Sequence, residues 1–94
     1  MRFPGWVEHE KTPQKRASAR LRYILGHLAL QISPRASLIA LGEHVGVDNS
    51  TLSCHMRDGA CTPRSAMLIV AKLGDSFVTA QQLCDPLSIK NEAV

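Results

Sequence analysis

Residues 41–53 read LGEHVGVDNSTLS and carry the strongest structural signal in this chain of 94 residues. Two short amphipathic segments, residues 37–45 and 49–57, lie on either side of Gly46. Glycine adopts the left-handed conformation that often follows a helix end, and Asp48 stands where the second segment needs an N-cap. Two short helices joined by a tight, glycine-containing turn form a helix-turn-helix. We therefore predict this motif for residues 37–57.

The second helix of the motif has a distinct outer face. Leu41, Val45, Val47 and Leu52 are expected to form a wedge between the two helices, and Gly42 is small where the helices approach closely. The residues left facing outward are Asn49, Ser50, Ser53, Cys54 and Arg57. A helix that enters the major groove of DNA needs short polar groups and no free acid on that face. We expect N-capping to occupy the carboxylate of Asp48.

Helix signals continue on both sides of the motif. Thr12-Pro13 predicts a helix start, and apolar residues at helical spacing carry that helix to Ile32, before Ser33-Pro34. Thr62-Pro63 starts another helix, which Gly74 ends, and Thr79 to Gln82 forms a capping box for a last short helix before Asp85-Pro86. No segment alternates apolar and polar residues as a β-strand requires. The prediction is a compact, all-α domain of five helices.

The domain is expected to span residues 13–86. Residues 1–12 look like an N-terminal arm, because Pro4-Gly5 breaks structure and no apolar period is present. Phe3 and Trp6 are unusual in such an arm and are expected to dock on this domain or on a partner subunit. Residues 87–94 have no period and are predicted to be a C-terminal tail.

Composition narrows the class of protein. Hydrophobic residues make up 45% of the chain, and the longest run of large apolar residues is the tetrapeptide Met67–Val70. A membrane-spanning helix needs about 20 apolar residues, so no membrane role is expected. The start of the chain does not resemble a secretory signal, and three scattered cysteines suit a reducing compartment, so we expect a cytoplasmic protein.

Charge is distributed unevenly along the chain. The net charge is +3, yet residues 1–42 hold seven bases and two acids, and no acid lies between Lys11 and Gly42. Such a block suits a polyanion, most commonly nucleic acid. An ordinary solvated helix face is the alternative interpretation.

Residues 41–53 resemble the helix-turn-helix of the lambda-repressor/Cro superfamily, many members of which read L-A-x-x-[LV]-G-V-[SD]-x-S-T-[LV]-S there. Arg57-Asp58-Gly59 is similar to the end of that family's recognition helix, and the likeness spans about residues 14–86. Gly42 and His55 differ from the usual Ala and the usual apolar or aromatic residue. The resemblance implies a sequence-specific regulator of transcription that binds double-stranded DNA. It is most like a small phage or prophage Cro-like repressor, acting as a homodimer on a palindromic operator and associated with the nucleoid when bound.

The resemblance also implies roles for single residues. Residues at the start of the recognition helix read bases in this family, and Arg57 matches a position that often contacts the DNA backbone. Lys15 and Arg20 lie on the first predicted helix, which crosses the phosphate backbone in this fold. The predicted DNA-binding residues are Ser37, Asn49, Ser50, Thr51, Ser53, Cys54, Arg57, Lys15 and Arg20.

Several of these residues have simpler interpretations. Asn and Ser are common at ordinary helix starts, the bases of the first helix could be solvated only, and Cys54 could be a half-buried residue or a nucleophile. Cys54, His55, Cys61 and Cys84 invite a zinc hypothesis, but no C-x2-C spacing is present. We therefore expect no metal and no cofactor.

Two further classes of function stay open at this point. A DNA-binding antitoxin, or another module that sequesters a protein partner, could use the arm with Phe3 and Trp6 or the tail. An enzyme is not expected, because no catalytic motif is present.

The helix from Pro63 is apolar all round at residues 66–71, which favours core packing but also allows a dimer contact.

Overall fold

The helices predicted from capping residues and apolar periods are all present in the computed structural model, which describes residues 2–90. The elements are α1 (Gly5–Glu8), α2 (Pro13–Ile32), α3 (Leu38–Val45), α4 (Asn49–Asp58), α5 (Pro63–Leu73), α6 (Ala80–Cys84) and a 3-10 helix (Pro86–Ser88). No strand occurs in the described part of the chain. The all-α prediction is therefore confirmed, whereas the count of five helices is wrong because α1 and the 3-10 helix were not foreseen.

Local side-chain chemistry explains most of the helix ends. The Thr12 hydroxyl accepts a hydrogen bond from the Lys15 backbone N–H at 3.1 Å, and Ser37 caps α3 through the Ala40 N–H at 3.1 Å. Thr79 and Gln82 complete the capping box of α6 in both directions. Gly46 and Gly59 follow α3 and α4 with φ values of 87° and 79°, which side chains rarely tolerate. These interactions lie within a few residues, so the sequence pattern could predict them.

The core is built around α2, whose buried face meets the other helices. Leu21, Ile24 and Leu28 on α2 have no solvent exposure, and neither do Leu52 on α4 and Ile69 on α5. Helix α2 packs against α1, α3, α4 and the 3-10 helix, while α5 packs mainly against α6. No helix within residues 2–90 has the length and apolar content to cross a membrane.

The N-terminal arm is part of this core and not a separate segment. Phe3 is 5% exposed, Val7 is fully buried, and Glu8 pairs with the buried guanidinium of Arg20. At the other end of the chain, Ile89 is buried too. The predicted boundaries near residues 12 and 86 therefore do not separate an arm or a tail from the core. Residues 91–94 of the predicted tail lie outside the described residues.

Candidate functional site

Helices α3 and α4 are held in close contact at their shared turn. A Cβ atom built on Gly42 would lie 2.5 Å from the Val47 carbonyl oxygen and 3.3 Å from the Asn49 nitrogen, which leaves no room for a side chain. The predicted close approach at Gly42 is confirmed. Leu41, Val45, Val47 and Leu52 are all buried, as expected for the wedge between the helices. The start of α4 is thus fixed relative to α3.

The other end of α4 is fixed against α2. The Ser18 hydroxyl donates a hydrogen bond to the Met56 carbonyl oxygen. A Cβ atom on Gly59 would lie 2.9 Å from both the Ala17 Cβ and the Ser18 nitrogen, so the backbone after α4 passes directly over α2. Since both ends of α4 are anchored, its outer face is presented in one orientation.

The inner face of α4 contains a buried histidine with a hydrogen-bonded partner on α5. His55 is 6% exposed, and its Nε2 lies 2.9 Å from the Ser65 hydroxyl oxygen. Thr62 donates to the same oxygen at 3.2 Å, and the Ser65 hydroxyl satisfies one nitrogen of the buried imidazole, as donor or as acceptor according to the His55 tautomer. Burial lowers the pKa of His55, and the Asp58 carboxylate opposes part of that shift. The polar residue is accommodated because Ser65 stands opposite it.

The outer face of α4 carries most of the side chains that were predicted to contact DNA. The exposed residues are Asn49, Ser50, Ser53, Cys54, Arg57 and Asp58, and Thr51 is half-buried. Ser37 is exposed at the start of α3, where its hydroxyl is the helix cap. The structure therefore brings five of the predicted site residues onto one exposed helix face, with Thr51 at its edge.

The carboxylate of Asp48, at the start of α4, does not cap the helix as predicted. Asp48 occupies the N-cap position, but its carboxylate accepts no hydrogen bond from the helix backbone. The Ser50 hydroxyl donates to it instead. The expectation that capping occupies this carboxylate is wrong, because a neighbouring hydroxyl competes with the backbone N–H groups. The first turn of α4 thus presents an exposed negative charge, and Glu43 lines the same shallow hollow beside the turn.

A groove with basic walls runs from the start of α2 to the end of α4. Lys15 and Arg22 of α2, Arg57 of α4, Trp6 of α1 and Glu10 are among the residues that line it. Arg57 is also hydrogen-bonded to Asp58 at 3.2 Å, which raises the pKa of its guanidinium and keeps it charged. The groove places Lys15 and Arg57, two of the predicted phosphate contacts, on one surface. Arg22 also lines the groove, although it is not among the predicted DNA-binding residues.

Arg20, in contrast, does not belong to that surface. Its guanidinium is 8% exposed at the side chain and donates four hydrogen bonds, two to the Glu8 carboxylate and one each to the Pro86 and Ile89 carbonyl oxygens. It also lies 4.6 Å from the centre of the Phe3 ring. The predicted phosphate contact by Arg20 is therefore wrong, because the residue is an internal cross-link between the two ends of the fold.

The cysteines occupy three different environments. Cys54 is exposed on α4, Cys61 is buried before α5, and Cys84 is half-buried at the end of α6. Within residues 2–90, no three His, Cys, Asp or Glu side chains are grouped as a metal ion would require. Comparison of the whole chain with models of protein families, with curated proteins and with solved structures gave no match. Any functional assignment therefore depends on the geometry described above.

Proposed function

We propose that this protein binds double-stranded DNA through the outer face of α4 and regulates transcription, most simply as a Cro-like repressor of a phage or prophage. The observation that carries the proposal is the anchoring of α4 at both ends while its short polar side chains stay exposed. A rigid helix with small polar groups is what direct reading of the major groove needs, since base edges are recognised over hydrogen-bond distances.

Asn49 is the best candidate for reading a base. It is exposed in the first turn of α4, and its amide can pair with N6 and N7 of adenine. Ser53 and Cys54 lie one turn further on and are short enough to approach bases or phosphates. Ser50 acts as an acceptor or as a support for Asp48, because its proton is already donated to that carboxylate. Asp48 itself can only accept, which favours a cytosine N4 donor near it.

The basic groove supplies the phosphate contacts in this proposal. Lys15 and Arg22 are exposed on α2, and Arg57 is 72% exposed at the end of α4. Neutralising phosphates with such residues gives affinity that is independent of sequence and falls with salt. Arg57 must share its guanidinium with Asp58, so its contribution is smaller than that of an unpaired arginine.

A homodimer completes the proposed mechanism. One helix reads only a few base pairs, and two copies on a palindrome with half-sites about 34 Å apart supply the missing affinity. Helix α5 supports this arrangement: Ala66 and Ile69 are buried in the core, yet Met67 on the same helix is 66% exposed. An exposed apolar side chain next to a core helix is available to a second copy.

Selection of bound duplexes from a random DNA pool tests the proposal. Binding is then measured for the selected sequence and for random DNA at two salt concentrations. We expect an enriched sequence with two-fold symmetry and a binding constant that falls with salt. Failure to retain any duplex, or retention without sequence enrichment, would contradict the assignment as a specific regulator.

A protein-binding role, including that of an antitoxin, is the second candidate. Trp6 is 58% exposed and Leu30 is 65% exposed, and both line an apolar hollow around Gly26 on α2. Co-purification of a second small protein, lost in Trp6→Ala, would favour this role. DNA selection with no enriched sequence would favour it as well.

A further inference from the structure

Cys61 and Cys84 are adjacent although 23 positions separate them in the chain. The Cys61 backbone N–H donates a hydrogen bond to the Leu83 carbonyl oxygen at 3.0 Å. Because Cys84 directly follows Leu83, this bond places the Cys61 and Cys84 backbones next to each other, and the Cys84 thiol lies near enough to act electrostatically on the Cys61 thiol. A disulfide needs Cα atoms about 4.4–6.8 Å apart, which such neighbouring backbones can provide.

Both side chains also pack in or against the hydrophobic core. Cys61 is 6% exposed and belongs to the buried cluster, and Cys84 is half-buried against that cluster. Burial, together with the neighbouring Cys84, raises the pKa of the Cys61 thiol to about 12. Cys61 is therefore protonated at neutral pH and poorly reactive by itself, whereas Cys84 is accessible from solvent.

We propose that Cys61 and Cys84 form a reversible intramolecular disulfide when the protein meets a peroxide. The Cys84 thiolate attacks one peroxide oxygen, which gives a sulfenic acid on Cys84 and releases hydroxide that takes up a proton as water. The Cys61 sulfur then attacks the Cys84 sulfur, the S–O bond breaks, and the departing hydroxide leaves as water with the Cys61 proton. Two thiols are oxidised to one disulfide, and hydrogen peroxide is reduced to two waters.

The bond would tie the segment that precedes α5 to the end of α6. It closes a loop that contains all of α5, and such a loop restricts the unfolded chain more than the folded one. The melting temperature of the oxidised protein should therefore rise, by on the order of 10 °C for a domain of this size. The outer face of α4 lies outside this loop, so the proposal is independent of DNA binding.

Peptide mapping tests the proposal directly, because trypsin places the three cysteines in three different peptides. Cys54 falls in residues 36–57, Cys61 in residues 58–64 and Cys84 in residues 73–90. The native protein is treated with hydrogen peroxide, free thiols are blocked with iodoacetamide, and the digest is analysed by mass spectrometry. We expect peptide 58–64 to be joined to peptide 73–90. The oxidised protein should migrate as a single chain on a denaturing gel without reductant, and dithiothreitol should remove the link.

Three comparisons make the result decisive. Cys54→Ser should form the same link and show the increased melting temperature, whereas Cys84→Ser should form no link and leave Cys61 unmodified. In concentrated urea, the preference for the 61–84 pair should disappear. The proposal is overturned if peptide 36–57 dominates the linked products of the native protein. It is also overturned if Cys84 is oxidised to sulfinic acid without forming any link.

Discussion

Under the proposed DNA-binding function, Asn49 is the residue that distinguishes an α4 that reads the base sequence from an α4 that only contacts the DNA backbone. It is exposed in the first turn and carries no charge, so its removal leaves the electrostatic part of binding intact. We expect Asn49→Ala to weaken binding to the selected sequence by about 1–3 kcal/mol and to leave binding to random DNA almost unchanged. Affinities for both duplexes at one salt concentration check this, with Gln81→Ala, at an exposed position of α6, as the control. Equal losses on both duplexes would move the reading role to Ser53 or Cys54.

His55 makes stability depend on pH. Burial lowers its pKa in the folded state below the ordinary value of 6.5, so the unfolded chain binds the proton more readily. This contribution is fully present above the ordinary pKa and is lost as the pH falls from there through the lower folded-state pKa. We expect the free energy of unfolding in urea to fall between pH 7.5 and 5.5, and to fall less in His55→Gln than in the exposed control His44→Gln. An NMR titration placing the pKa of His55 above 6.5 would contradict this.

Gly42 and Gly26 should respond oppositely to the same substitution. A Cβ at Gly42 meets the Val47 carbonyl oxygen at 2.5 Å, whereas a Cβ at Gly26 meets nothing within 4 Å. We expect Gly42→Ala to destabilise the fold by about 1–3 kcal/mol, because the turn must open. Gly26→Ala, in the interior of α2, should stabilise it by about 0.5–1 kcal/mol. Urea unfolding of both variants measures the difference, and equal effects would show that the turn adapts freely.

At the scale of elements, the proposed phosphate contacts are shared by α2 and α4 through the groove between them. Lys15, Arg22 and Arg57 line that groove, so each should contribute to the dependence of DNA affinity on salt. We expect Lys15→Ala and Arg22→Ala each to lower the slope of log affinity against log salt by about one unit. Arg57→Ala should lower it less, since Asp58 already pairs with Arg57.

Lys72→Ala supplies the control for that experiment, because Lys72 is exposed in the last turn of α5 and does not line the groove. The slope of log affinity against log salt for Lys72→Ala should equal that of the unmodified protein. If Lys72→Ala changed the slope as much as Lys15→Ala, the contacts would be spread over the whole surface. The groove would then have no special role.

Helices α2 to α6 could be predicted from sequence because their signals are local. Thr12, Ser37 and Thr79 each bond within three residues, and the apolar period of α2 extends over about four turns. Helix α1 is a single turn and cannot display a period. Residue spacing could not predict the hydrogen-bond partner of the Asp48 carboxylate, because the Ser50 hydroxyl competes with the helix backbone for it.

At the scale of the whole molecule, Arg20 connects regions that no sequence window contains together. Its partners lie 12, 66 and 69 positions away, so a helix pattern could identify it only as a surface base. Removing one member of a fully buried ion pair costs roughly 3–5 kcal/mol, and here the cost lies at the lower end because the Glu8 side chain is 24% exposed. We expect Arg20→Ala to lose about that much stability in urea unfolding, while Arg22→Ala on the exposed side of α2 stays within about 0.5 kcal/mol.

The same cross-link has a consequence for synthesis on the ribosome. Helix α2 and the arm emerge early, and Arg20 can pair with Glu8 at once, but its bonds to the Pro86 and Ile89 carbonyls must wait until residue 89 has left the exit tunnel. Until then the nascent chain exposes part of the apolar surface that the 3-10 helix and Ile89 later cover. The emergence of residues 86–89 therefore controls when this small fold closes, and a ribosome stall before that point would leave a chain that chaperones and proteases can recognise.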